Sequence, residues 1–186
     1  QLIESLPRQF RCVSVDLFAR TPVVHRSGVL WDAVTASCRL PILYPPWQSG
    51  NRLLVDGCVL DNLPVPVLLE RNEGPIVAVN IGSGDKPVRR DGPPRVPPLG
   101  DTLLRVMTIG GDGTTQRAAQ QGAYVITPAS MGVGMMEYHQ MDTMVEAGRR
   151  AARALLEATG GDVTQPYAQA ELQPSTSSGL RDGGPA

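Results

Sequence analysis

The stretch Leu53-Leu54-Val55-Asp56-Gly57 sets a carboxylate at the end of a short apolar run, with glycine directly behind it. A buried strand fixes a side chain, and the strand end opens it to a substrate. Glycine there permits a sharp turn or a close backbone approach. Asp56 is therefore a candidate general base, although on the dipeptide alone an ordinary Asp-Gly turn is the better reading. Asp16 and Asp61 stand near strand or turn ends. Asp16 suits hydrogen bonding within a loop, and Asp61 a cap or turn ahead of Pro64. Three carboxylates with no demonstrated convergence do not make a metal site, and neither metal nor other cofactor is expected. A nucleophile is harder to find. None of the serines, from Ser5 to Ser178, has glycine two residues before it and two after.

The elements that must position these groups alternate between extended and helical patterns. Phe10 to Phe18 and Pro22 to His25 read as extended, and Val29 to Cys38 reads as a helix stopped by Pro41. Residues 41–51 read as a proline-rich loop carrying Tyr44 and Trp47. Arg52 to Val55 reads as the strand leading into Asp56, and Val65 to Arg71 as a helix with proline in its first turn. Pro75 to Ile81 has the near-continuous apolar character of a strand covered on both faces.

Residues 82–100 read as a Gly-, Pro- and Arg-rich surface loop. Its Gly82-Ser83-Gly84-Asp85 start is a weak phosphate-site signal better taken as a turn. Leu99 to Gln121 reads as largely helical with a break at Gly110-Gly111, and Ala123 to Thr127 as a last strand. Met141 to Ala158 is the cleanest helix, with Met141, Met144, Val145, Gly148, Ala152, Leu155 and Leu156 as its apolar stripe. Residues 159–186 are too poor in apolar side chains to pack and are expected to be disordered. About four convincing strands among helices argue for an α/β layered architecture.

Bulk properties narrow the function. The formal net charge of the 186 residues is −1 and the basic residues are scattered, which argues against a nucleic-acid partner. Cys12, Cys38 and Cys58 are odd in number and lack C-x-x-C spacing, so free, buried thiols in a reducing compartment are expected. No apolar run is long enough to span a bilayer. Tyr44 and Trp47, with Lys86, Arg89, Arg90 and Arg95, could touch a lipid surface peripherally, although packed or solvated roles are the better guess. A chain that opens on Gln1 is expected to be processed or cut from a longer reading frame.

Several ordered segments together carry a family resemblance: Arg11-Cys12-Val13-Ser14-Val15-Asp16, His25-Arg26-Ser27-Gly28-Val29-Leu30-Trp31, Ala36-Ser37-Cys38-Arg39-Leu40-Pro41 and Tyr44-Pro45-Pro46. They continue with Asp56-Gly57, Asn62-Leu63-Pro64, Ile76 to Gly82, and Glu137 to Asp142. Over roughly residues 10 to 150 this set resembles the patatin-like phospholipases, most closely the neuropathy target esterase branch. The resemblance implies a three-layer α/β/α sandwich, here its C-terminal portion over residues 1–158. It implies a Ser–Asp dyad in which Asp56 activates a serine, with Gly57 and Asn62 supporting the motif. Cys58 stands where the family usually has glycine or alanine, a mild departure.

The family's G-x-S-x-G serine and glycine-rich oxyanion loop are absent from these residues. The chain alone is therefore expected to be inactive as an esterase and poorly stable without the N-terminal half of the domain. The family uses no histidine base, so His25 and His139 are expected to be structural. The expected substrate is a phospholipid or lysophospholipid, and the expected location cytoplasmic, peripheral at most to a membrane. The rival reading is a catalytically inactive, truncated paralogue that binds lipid or a partner chain.

Overall fold

The computed structural model describes residues 1–70, 74–81, 96–100, 102–103, 106, 113–129, 133 and 137–163. The expectations for residues 82–95, for the break at Gly110-Gly111 and for the tail beyond residue 163 lie outside the described residues.

Strand β1 (Cys12–Asp16) turns back into β2 (Thr21–His25) as an antiparallel hairpin. Asp16 closes the connection: its Oδ1 accepts from Phe18 N at 3.0 Å and Ala19 N at 3.1 Å. Its carbonyl accepts from Arg20 N at 2.8 Å, and Arg20 takes a left-handed φ of 56°. A short polar side chain that bonds its own turn is what makes aspartate suit this position. Helix α1 (Leu30–Ser37) follows and lies against β1 and β4 (Arg52–Asp56) through Ala33 and Ala36. Ser37 Oγ donates to the Val13 carbonyl at 2.8 Å and so pins the end of α1 to β1.

Residues 41–51 are not all loop. Trp47–Ser49 forms a strand, β3, paired antiparallel with β4, so the first sheet has the order β2-β1-β4-β3. The prolines at Pro45 and Pro46 end where β3 begins, and backbone pairing with β4 overrides the local loop signal. Pro22 lies on the edge strand β2, where a missing N–H costs no ladder bond.

The second layer is smaller. After a single helical turn, α2 (Pro66–Leu69), strand β5 (Val77–Val79) pairs in parallel with β6 (Tyr124–Ile126). Helix α3 (Thr114–Gln120) feeds β6, and Leu63, Val65, Ala78, Ala118 and Ala123 form the core there. Among the described residues coverage of β5 on both faces is not found: Ala78 is buried, but Val77 and Val79 are 43% and 47% exposed. Helix α3 and the 63–65 segment cover only one face of this two-stranded sheet.

The long helix α4 runs over Met141–Ala158, as the apolar stripe predicts. It buries Ala147 and Leu155, with Met144, Gly148, Ala151 and Ala152 partly covered, while Met141, Val145 and Leu156 are exposed. The packed face is thus a narrower strip than the expected stripe, rotated toward the alanines. The architecture is α/β, with six strands among the described residues against the four expected.

Candidate active site

Asp56 is the last residue of β4, and its position is held from three directions. Its backbone N–H donates to the Arg39 carbonyl at 3.0 Å. Its register partner across β1 is Ser14, and directly opposed residues of an antiparallel pair project from one face. Its own Oδ1 accepts from Cys58 N at 2.9 Å, capping the 3-10 turn Gly57–Val59. Among the described residues no lysine or arginine forms an ion pair with Asp56. A carboxylate set this way is fixed in place but not neutralised by a neighbouring cation, as a proton acceptor requires.

Gly57 has a reason beyond turn geometry. A Cβ built there would lie 2.6 Å from the Val13 carbonyl oxygen. The strand end carrying Asp56 is therefore pressed directly on the backbone of β1, the close approach foreseen for this glycine. Asn62 is exposed and makes no described hydrogen bond. Its neighbour Asp61 forms the turn instead, its Oδ1 accepting from Leu63 N at 3.0 Å.

The Cys58 thiol lies against the Asp56 carboxylate. Burial first, then the Asp56 charge and a hydrogen bond to it, push the thiol up to about 12. It stays protonated at neutral pH and donates to the carboxylate. Cys12 is likewise pushed up to about 11 by burial and by Cys38. All three cysteines are free; Cys12 and Cys58 are half-buried and Cys38, just past the end of α1, is exposed, contrary to the expectation of buried thiols.

His25 does not contact Asp56 in any described bond. Its Nε2 shares a hydrogen bond of 2.8 Å with Ser14 Oγ, and Ser14 is wholly buried. Burial and the nearby Arg52 lower the imidazole below its ordinary range. A buried hydroxyl cannot meet a substrate, so this pair fastens β2 to β1 behind the Asp56 strand. His139 is exposed in a 3-10 turn ahead of α4. Asp16 pairs with Arg52, 3.8 Å between Oδ2 and Nε, and serves the hairpin.

The residue that pattern reading passed over is Arg39. Its guanidinium stands 5.8 Å from the Tyr44 ring centroid and 5.2 Å from that of Trp47. Its Nε is buried without a hydrogen-bond partner. Nothing in the sequence pairs Arg39 with Trp47, eight positions on, until the 40–46 turn folds the rings over it. A cleft of ≈ 270 Å³ opens on the other side of β1, lined by Arg11, Cys12, Val13, Pro64, Leu68 and Ile76 among others. No group of three or more metal-ligating side chains occurs among the described residues.

A family model for patatin-like phospholipases matches residues 10–69, the segment that holds β1 through α2 and Asp56. The chain belongs to the patatin-like phospholipase family. An uncharacterised NTE family protein of Mycobacterium tuberculosis is 36% identical over 176 residues, covering 84% of this chain and 30% of the relative. Its counterpart in Mycobacterium bovis matches equally. A lysophospholipase NTE1 of Debaryomyces hansenii is 27% identical over 83% of this chain and 11% of its own length. The chain thus spans less than a third of the mycobacterial relatives. These relatives set the patatin-like chain in the NTE-type branch of a lipid hydrolase family.

Proposed function

We propose that this patatin-like chain supplies Asp56 as the base of a Ser–Asp dyad that hydrolyses a carboxylic ester of a phospholipid or lysophospholipid. Asp56 accepts the serine proton as the hydroxyl attacks the ester carbonyl, and an oxyanion hole stabilises the tetrahedral intermediate. The serine and the oxyanion donors come from polypeptide outside these 186 residues, which contain no G-x-S-x-G.

The observation that carries this reading is the seat of Asp56. It is a strand-end carboxylate, oriented by Cys58 N–H and, among the described residues, paired with no basic side chain. The lysophospholipase name of the fungal relatives supports the substrate class.

The test is intact-mass spectrometry after exposure to a fluorophosphonate. The chain alone is expected to keep its mass. The assembled hydrolase should take one adduct, with labelling and ester turnover falling about a hundredfold or more on Asp56→Asn. An adduct on the isolated chain that Asp56→Asn removes would sink the account of the nucleophile. Lipid binding without turnover in the assembled protein would favour the non-catalytic binding module instead.

A further inference from the structure

We propose that Arg39, clamped between Tyr44 and Trp47, binds the phosphate oxyanion of the lipid head group on the Asp56 side of the first sheet. This inference rests on the reading of Asp56 as the base of a lipid ester hydrolase.

Among the described residues Arg39 is an unmet cation. The Arg39 Nε is buried with no acceptor, and Arg39 has no ion pair among the described residues. A desolvated guanidinium donor without a partner is costly, and native structures seldom leave one. The described ion-paired carboxylates are engaged elsewhere, Glu70 by Arg26 and Arg11 and Asp16 by Arg52. No described acid reaches Arg39.

The clamp fixes the cation's place. Two aromatic rings at 5.2 and 5.8 Å from the guanidinium carbon offer π faces, which suit arginine and leave its planar N–H fork for another ligand. A fork of that kind matches the paired oxygens of a phosphate. The turn that brings Tyr44 over the guanidinium is itself strained: Ile42 has φ 79°, unusual for a β-branched residue. Leu43 N and Tyr44 N both donate to the Leu40 carbonyl, at 3.2 and 3.0 Å, and hold that turn closed.

The clamp also lies where a head group would be needed. Trp47 is directly opposite Leu54 in the β3–β4 ladder, so its ring shares a face with Leu54 and, two residues on, with Asp56. Arg39 is joined to Asp56 through its own carbonyl, 3.0 Å from Asp56 N. The same sheet face therefore carries Asp56 and, one strand over, the Trp47 ring that stands against the Arg39 guanidinium. Exposed Ile42 and Leu43 rim the clamp with apolar surface. A phosphoester lipid has this combination: an anion a few bonds from the ester, with hydrocarbon beyond.

The experiment reads Trp47 emission in a Trp31→Phe background, since Trp31 is exposed and outside the clamp. The chain is titrated separately with glycerophosphocholine, lysophosphatidylcholine micelles, inorganic phosphate and octanoate. Glycerophosphocholine and the micelles are expected to change Trp47 emission. Arg39→Met should weaken both about tenfold or more, and Arg39→Lys by less, since it keeps the charge but not the fork. Far-UV circular dichroism identifies a variant that has failed to fold, and Arg39→Lys then carries the comparison.

An equal response to inorganic phosphate keeps the oxyanion site and assigns it to free phosphate. A response matched by octanoate, unchanged in both Arg39 variants, or absent with every probe overturns the proposal. The titration needs no turnover and does not depend on Asp56 acting as a base. Failure of the hydrolase reading is thereby separated from failure of this one.

Discussion

Asp56 and Cys58 at the end of β4, and Ser14 and His25 on the neighbouring hairpin, are half-buried polar side chains, apart from Ser14, which is wholly buried. Cys58 and Cys12 are held as thiols by burial, up to about 12 and 11, whereas Cys38 is exposed. Iodoacetamide at pH 8 should therefore modify Cys38 first. Cys12 and Cys58 are expected to react about a hundredfold more slowly, because only the thiolate is nucleophilic. Peptide mapping over a time course checks the order, and early labelling of Cys58 would contradict the hydrogen bond to Asp56.

His25 gives a pH signature. Its folded pKa lies below the ordinary 6.5, so on acidification the unfolded chain takes up this proton first. Its contribution to stability is full above pH 6.5 and is lost as the pH falls through the folded value. His25→Asn should flatten the decline in thermal midpoint between about pH 7 and pH 5, measured against the parent. A parallel decline in both would remove the histidine from the account.

Among the elements, the contact between the end of β4 and β1 positions the candidate base. Gly57 meets the Val13 carbonyl so closely that any side chain forces backbone apart. Gly57→Ala is expected to destabilise the fold by about 1–3 kcal/mol. It should also shift the Asp56 carboxylate, so that ester turnover in the assembled hydrolase falls by more than stability explains. Urea midpoints and activity at a temperature where the variant stays folded separate the two effects. The β1–β2 hairpin behind it is closed by Asp16 and laced by Ser14 to His25, which makes it the rigid side of this joint. Arg11 adds a tie to the Val67 carbonyl, linking the first sheet to the 63–69 segment.

At the scale of the whole molecule, much apolar surface remains open among the described residues. Phe18 and Trp31 are each 73% exposed, and Leu17, Val29, Leu43, Leu60 and Leu68 are exposed as well. Where such side chains are contiguous, the patch marks a site that another chain segment, a second molecule or lipid covers. The isolated chain should bind 8-anilinonaphthalene-1-sulfonate strongly at neutral pH and sediment as a concentration-dependent mixture. A monodisperse monomer without dye binding would show that this surface is tolerated bare. Among the described residues no helix is long and apolar enough to cross a membrane.

The α/β class, the long C-terminal helix and the candidate base were legible before any coordinates. Each rests on local information: an apolar run ending in Asp56-Gly57, a 3.6-residue periodicity over Met141–Ala158, and ordered segments shared with patatin-like proteins. Strand β3 was hidden, because prolines dominate its local signal while its stability comes from pairing with β4. The one-sided burial of β5 was hidden too, since an apolar run does not state how many layers cover it. The pairing of Ser14 with His25 depends on hairpin register, and the Arg39 clamp on a left-handed turn at Ile42. By residue type and spacing alone Asp56-Gly57 reads as an ordinary turn, and only the ordered segments resembling patatin-like proteins single out the carboxylate. Which backbone meets Gly57, which hydroxyl bonds His25 and which rings face Arg39 depended on strand register and turn handedness, which are properties of the folded chain.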